Sequence, residues 1–254
     1  MKQMEKEEQL FRKRICELAA LSYERDIPVH TNFLTLNEQA VFQSISATLP
    51  PVKYELAGGS AMSERKVLCF LPSYEEEPGQ LPFSCVEIRP SNPRFSESLT
   101  HRDFLGAIMN LGIERDMIGD ILSNGQGAYV FVMNPMVSYL TEQLTTVRKT
   151  PVSLSVREDP ADFPQPEFER LEGTLSSVRL DAVIALCGRM SRGKAADLIE
   201  GEKALLNGQP CMSVSRQMKE GEVLSLRGIG KFRLESIGAP TKKGRIPVVI
   251  LKYR

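Results

Sequence analysis

The spacing of apolar residues late in the chain changes from helical to strand-like. Four positions first recur at three- and four-residue steps, which predicts one buried helical face: Leu180, Val183, Ile184 and Cys187. Ser176 or Ser177 is the expected N-cap of this helix, and Gly188 is its expected end. Ser191 predicts the N-cap of a second helix, which should end at Gly201, a position suited to positive φ.

Beyond residue 201 the sequence predicts short strands joined by tight turns. Asn207-Gly208 is a strong two-residue hairpin signal, and Glu220-Gly221 indicates another turn. Residues 223–227 form one predicted strand, and residues 230–253 form a strand pair. We therefore expect two helices packed on a small sheet.

The start of the predicted second helix is suited to binding an anion. Its free backbone N–H groups and the positive end of its dipole attract negative charge. Arg192 and Lys194 place two cations in the first turn, where they are slightly unfavourable for the helix itself. A bound phosphate would resolve that conflict, and Arg179, at the start of the preceding helix, could lie beside it.

The order of these pieces resembles the small RNA-binding domain named after ribosomal protein S-four. The matching segments are residues 179–181, 191–195, 198–201, 204–208 and 219–223. The resemblance implies RNA contacts by the arginines of its Arg-Leu-Asp and Ser-Arg motifs, and it departs at Gln209, where a lysine is common. We predict an RNA-binding surface of seven residues: Arg179, Ser191, Arg192, Lys194, Lys203, Lys219 and Arg227.

The remainder of the chain predicts two further regions of helices and strands. The N-terminal part should contain a helix at residues 2–23, a second helix that begins near residue 35 or 37 and runs to 47, and strands at 52–56 and 67–71. The middle part should follow the order β-α-β-β-α-β, at residues 83–89, 101–112, 118–122, 128–133, 137–147 and 152–157. That order is typical of a ferredoxin-like layer, the architecture of many RNA-recognition modules. Tyr129 and Phe131 share one strand face, where the core is their expected place and base stacking is the alternative.

The predicted fold class is α+β, in three domains. Residues 1–78 form an N-terminal α/β region, and residues 79–157 form a ferredoxin-like, RRM-like domain. Residues 158–170 are rich in proline and acid and are the expected linker. Residues 171–254 form the small α+β domain of the S-four type, with its αL motif.

The middle region also resembles a known family. Residues 94–95, 99–107, 111–113 and 118–122 are similar to the YlmH family of bacterial RNA-binding proteins, and the order of regions agrees over nearly the full length. The resemblance implies a ribosome-associated protein that binds the large subunit carrying peptidyl-tRNA after a stall, as in quality control with the related factor RqcP. The implied partners are ribosomal RNA, tRNA and a nascent-chain-tailing factor. Arg94, Arg102 and Arg115 are candidates for secondary RNA contacts.

A net charge of zero conceals a strong asymmetry along the chain. Residues 171–254 contain 15 Lys and Arg against 8 Asp and Glu, whereas residues 1–170 contain 17 against 24. A basic module on an acidic body is typical of docking on a polyanion, and simple balancing of charges is the alternative. There is no apolar run long enough for a membrane span, and no secretory signal core. Five scattered cysteines indicate reduced, mostly buried thiols in a cytoplasmic protein.

No local signature of an active site is found in the sequence. The triplet 101–103 copies the His-Arg-Asp of protein kinases, but the other kinase motifs are missing, so a helix-start cap is expected there. With two histidines, no metal-ligand spacing is found, and no cofactor is predicted. The favoured hypothesis is a non-enzymatic RNA binder. The alternative is an RNA-modifying enzyme, of the methyltransferase or pseudouridine synthase type, that is targeted by its RNA-binding domain.

Overall fold

The computed structural model describes residues 2–59, 63–123, 125, 127–157 and 167–253. It contains helices and several antiparallel sheets, which confirms the α+β class. The chain divides into two compact units, residues 1–165 and 166–254. Most of the predicted linker lies outside the described residues, but its last part is not a linker. A strand begins at Phe168 because its residues pair with the final strand of the chain.

The N-terminal part of the first unit packs two helices on a three-stranded sheet. Its elements are α1 (Lys2–Arg25), β1 (Val29–Leu34), α2 (Leu36–Ile45), β2 (Lys53–Ala57) and β3 (Lys66–Leu71). The sheet order is β1-β3-β2, and both pairings are antiparallel. Thr35 and Glu38 form a capping box that starts α2. Ile15 of α1 and Phe42 of α2 are fully buried against Phe70 of β3.

The middle part has the predicted β-α-β-β-α-β order with one short extra strand. Its elements are β4 (Phe83–Pro90), α3 (His101–Met109), β5 (Ile118–Ser123), β6 (Ala128–Met133), α4 (Asn134–Gln143), β7 (Thr146–Val147) and β8 (Thr150–Arg157). The sheet order is β5-β6-β4-β8-β7. Helix α4 begins earlier than predicted, with Pro135 in its first turn, where a missing N–H does no harm.

The N-terminal and middle parts share one hydrophobic core. Helices α3 and α4 cover one face of the middle sheet. Phe33 and Val67 of the N-terminal sheet pack on the other face, against Phe83 and Phe131. The expected boundary between residues 78 and 79 therefore lies inside a single compact unit. Gly59 lies close to the tip of the Phe131 ring, where an added Cβ atom would come within 2.1 Å of Cζ.

Gly59→Ala should lower the free energy of unfolding by about 1–3 kcal/mol, because the added methyl group overpacks the shared core at Phe131. Gly106→Ala is the matched control. Its Cβ in helix α3 would meet nothing within 4 Å, so it should raise stability by about 0.5–1 kcal/mol. Denaturant unfolding of both variants measures the difference, and equal stabilities would contradict the close packing at Gly59.

The second unit packs two helices on one face of a six-stranded antiparallel sheet. Its elements are β9 (Phe168–Leu175), α5 (Leu180–Gly188), α6 (Arg192–Glu200), β10 (Ala204–Leu206), β11 (Gln209–Pro210), β12 (Val223–Leu226), β13 (Gly230–Ile237) and β14 (Ile246–Tyr253). The sheet order is β11-β10-β12-β13-β14-β9. The predicted apolar face of α5 is buried against Phe232, Leu234 and Ile250.

The helix ends of this unit differ in detail from the predictions. The N-cap position of α5 is Arg179, not Ser176 or Ser177. The helix starts later than predicted because the backbone of Arg179 is extended and forms an isolated antiparallel bridge with Gln217. Gly201 ends α6 at φ −83°, and the positive φ falls on the next residue, Glu202.

The predicted hairpin turn at Asn207-Gly208 is confirmed. Both residues have positive φ, at 50° and 80°, and they join β10 to β11.

The five cysteines are all free thiols, as predicted, and three of them are buried. Burial raises the pKa of Cys69, Cys85 and Cys187 to about 12, so these thiols stay protonated at neutral pH. None of the helices in the described part of the chain combines the length and apolar composition that a membrane crossing needs.

Candidate nucleic-acid interface

Asp181 holds the two arginines that the sequence singled out. Its side chain is only 6% exposed, and each carboxylate oxygen has its own arginine partner. Arg179 Nε donates to Oδ1 at 3.2 Å, while Arg192 donates to Oδ2 from Nε at 3.0 Å and from Nη2 at 2.6 Å. The start of α5 and the start of α6 are thereby joined through one carboxylate.

The electrostatics of this cluster favour the ionised carboxylate. Burial by itself would raise the pKa of Asp181, but the hydrogen bonds from Arg192 and Arg179 outweigh it and leave the pKa lowered. Asp181 is therefore charged at neutral pH. Arg179 and Arg192 remain 35% and 50% exposed, so each guanidinium presents part of its surface to solvent.

The start of α6 is open to solvent as well as positively charged. Ser191 caps it as predicted, with Oγ accepting from the Lys194 backbone N at 3.3 Å. Residues 191–194 are all exposed. The helix end, Arg192 and Lys194 thus place backbone donors and two cations together at the surface, an arrangement that binds phosphate.

The remaining predicted residues divide between two places. Lys219 lies two residues after Gln217, the backbone partner of Arg179, and is exposed. Lys203 and Arg227 lie together, since the Arg227 N–H donates to the Lys203 carbonyl at 2.9 Å. Lys203 follows the far end of α6, which is about 12 Å from the start of that helix at about 1.5 Å per residue, and Arg227 follows β12. The structure therefore brings Arg179 and Arg192 together, with Lys194 in the same first turn of α6, and places Lys203 and Arg227 apart from them.

The three secondary candidates lie in the first unit and differ in availability. Arg94 and Arg102 are exposed. Arg115 points inward and donates from Nη1 to the carbonyl of Ile118 at 2.5 Å. Burial, and then the nearby Arg65, lower the pKa of Arg115 to about 10. Because its guanidinium is engaged by backbone carbonyls, Arg115 serves the fold, and we leave it out of the proposed interface.

Asp181 lies in a motif that the sequence predicts, but its role in holding the two arginines was not predicted. The position of Asp181 next to the apolar Leu180 was the signal that could have revealed this role. A carboxylate that is buried beside such a residue needs a positively charged or hydrogen-bonding partner. Phe131 is in the core as expected, whereas Tyr129 is only half-buried.

The kinase-like triplet 101–103 is a helix-start cap, as expected. Asp103 accepts hydrogen bonds from the backbone and the hydroxyl of Thr100. Among the described residues, no three His, Cys, Asp or Glu side chains form a group that could hold a metal ion.

Known proteins resemble the chain over most of its length. Residues 82–160 match the family model described as "Putative RNA-binding domain in YlmH". The chain is also 31% identical over 221 residues to a Bacillus subtilis (strain 168) protein. The alignment covers 85% of this chain and 83% of the Bacillus protein. The chain belongs to the YlmH family. The Bacillus protein is named "Ribosome-associated protein quality control protein P2".

A solved structure agrees with this assignment at the level of the fold. It is named "Cell division protein ylmH from Streptococcus pneumoniae", and its TM-score is 0.50 at 24% identity. The match covers 62% of this chain and 95% of the pneumococcal chain. The resemblance to the YlmH family drawn from the sequence is thus confirmed.

Proposed function

We propose that this YlmH-family protein is a non-enzymatic, cytoplasmic RNA-binding protein that docks on the large ribosomal subunit. It contacts ribosomal RNA and the peptidyl-tRNA of a stalled complex and acts in ribosome-associated quality control, together with a factor that extends the nascent chain. The name of the Bacillus relative supports the ribosomal part of this proposal, and the matched family model supports RNA binding.

The observation that carries the proposal is the arginine pair on Asp181 at the exposed start of α6. Two guanidiniums held by one buried carboxylate keep a fixed position, so little conformational freedom is lost when they bind phosphate. A helix N-terminus with Lys194 beside them adds further donors. These groups recognise the backbone of structured RNA by charge and shape rather than by sequence.

The fold supports an S-four-type second unit and a ferredoxin-like middle domain. Helices α5 and α6 are followed by the short strands β10 to β12, the order that the S-four resemblance implies. The four strands of the β-α-β-β-α-β unit lie in the order β5-β6-β4-β8, and this order supports the ferredoxin-like assignment of the middle domain. Lys203 and Arg227, at the far end of α6, are suited to a second stretch of the same RNA.

Sucrose-gradient sedimentation tests the proposed function. The full chain, mixed with purified large and small ribosomal subunits, should migrate with the large subunit, and more so with subunits that retain peptidyl-tRNA. The fraction bound should fall steeply as salt rises, because phosphate contacts release counterions. Failure to migrate with either subunit would overturn the proposal and direct attention to the first unit as an RNA-modifying enzyme.

A further inference from the structure

Among the residues that the structure describes, those that pack on one face of the middle sheet cover only half of it. Residues on that face pair across β6, β4 and β8 in rows: Phe131, Cys85 and Arg157 in one, and Tyr129, Glu87 and Ser155 in the next. The N-terminal sheet covers the face at Phe83, Cys85 and Phe131. The rest of this face, here called the open half, carries polar, aromatic and charged side chains instead: Glu87, Arg89, Tyr129, Ser153, Ser155 and Arg157.

Glu87 organises the open half as Asp181 organises the second unit. Its side chain is 6% exposed and binds two arginines, with Arg89 Nη2 2.6 Å from Oε1 and Arg157 Nη2 2.9 Å from Oε2. Burial alone would raise the pKa of Glu87, but hydrogen bonds from Tyr129, Arg157 and Arg89 leave it lowered. A buried carboxylate costs free energy unless it is paired, and pairing Glu87 holds Arg89 and Arg157 in fixed positions on this face.

The two arginines are presented in different ways. The guanidinium of Arg157 lies over the Tyr129 ring, 5.7 Å from its centroid, and is 32% exposed. A planar guanidinium on an aromatic ring is a platform on which a nucleic-acid base stacks. Arg89 is 64% exposed at the edge of the same cluster, where a phosphate can reach it.

We propose that the open half binds one unpaired nucleotide of RNA, with its base on the Arg157–Tyr129 platform and its phosphate at Arg89. This inference rests on the proposed function, since it assumes that the protein binds RNA. It adds an RNA contact in the first unit. The occupant follows from charge and shape: two fixed guanidiniums against one carboxylate attract an anion, and the flat platform accepts a base. The proposed contact shares no residue with the arginine pair on Asp181.

Fluorescence anisotropy with a labelled single-stranded oligoadenylate tests this site. All variants are made in the full chain with Arg179→Ala and Arg192→Ala already present, so that the second unit contributes little to oligoadenylate binding. In that background, Arg157→Lys keeps the charge on Glu87 but removes the planar group, and should weaken binding about tenfold without changing its salt dependence. Arg89→Ala should make the slope of log affinity against log salt less steep by about 0.7.

A control variant makes the outcomes decisive. Arg14→Ala removes an exposed arginine of α1 and should leave oligoadenylate binding unchanged. Unmeasurable binding, or equal affinity and slope in Arg157→Lys, Arg89→Ala and Arg14→Ala, would overturn the site. Loss of large-subunit binding in these variants with unchanged oligoadenylate binding would instead indicate a protein contact and also overturn it.

The same variants separate this inference from the proposed function. If the wild-type chain fails to migrate with large subunits while oligoadenylate binding depends on Arg157, the ribosomal proposal fails and the nucleotide site stands. If the wild-type chain migrates with large subunits but oligoadenylate affinity is the same in all variants, the nucleotide site fails and the ribosomal proposal stands.

Discussion

Arg179→Ala combined with Arg192→Ala should reduce affinity for large ribosomal subunits about a hundredfold, since each hydrogen bond to a charged group contributes about 1.5–3 kcal/mol. The slope of log affinity against log salt should become less steep by about 1.5, as two phosphate contacts are lost. Both effects follow because Asp181 fixes these arginines at the exposed start of α6. Sedimentation at several salt concentrations measures affinity and slope together.

Two companion variants make this expectation specific. Lys242→Ala with Lys243→Ala removes the same charge from an exposed turn of the same unit, and should weaken binding only slightly. Arg179→Gln with Arg192→Gln replaces the alanine pair if that variant is unstable. It removes the same charge but keeps amide donors that can pair with Asp181, so the fold should be retained. Equal affinity of the arginine and lysine variants would show that net charge, rather than this cluster, drives binding.

The elements that local chemistry determines were predictable from the sequence. The apolar period of α5, the Ser191 cap and the Asn207-Gly208 turn each depend on residues a few positions apart. Strand β1 was missed because polar residues interrupt its apolar pattern and find their partners far along the chain. The hydroxyl of Thr31, for example, accepts a hydrogen bond from the backbone N of Leu68.

Helix α4 was predicted too far toward the C-terminus for a related reason. Val137, Leu140, Leu144 and Val147 keep a helical period. The chain nevertheless leaves the helix at Leu144, with ψ 93°, and places Val147 in a strand beside Thr150. All four side chains contribute to one core, so tertiary packing outweighed the local pattern.

The candidate site was predictable in part. The helix start and its cations pointed to Arg179, Arg192 and Lys194 without any structure. The role of Asp181 was not accessible, because its partner Arg192 lies 11 residues away and meets it only when α5 packs on α6. The same limit applies to Glu87 and Arg157, which are 70 residues apart and meet only across paired strands.

Asp181→Asn should lower the free energy of unfolding at neutral pH by about 1–3 kcal/mol, the cost of weakening hydrogen bonds to a buried charged group. The folded pKa of Asp181 is lowered, so its contribution is full above the unfolded value of about 3.9 and is lost as pH falls through the folded pKa. The stability difference between wild type and variant should therefore shrink in acid. A difference that stays constant down to the acid unfolding of the protein would contradict this assignment.

The same substitution decides whether Asp181 acts by positioning the arginines or only by its charge. Asp181→Asn makes the second unit more positive, so simple electrostatics predicts tighter binding to large subunits. If the carboxylate holds Arg179 and Arg192 in place, binding should instead weaken, by about three- to tenfold, because the arginines must then be ordered on binding. Glu200→Gln adds the same charge at the exposed end of α6 and should not weaken binding. Opposite signs for these two variants, in one salt series, would establish that the geometry of the cluster matters more than its charge.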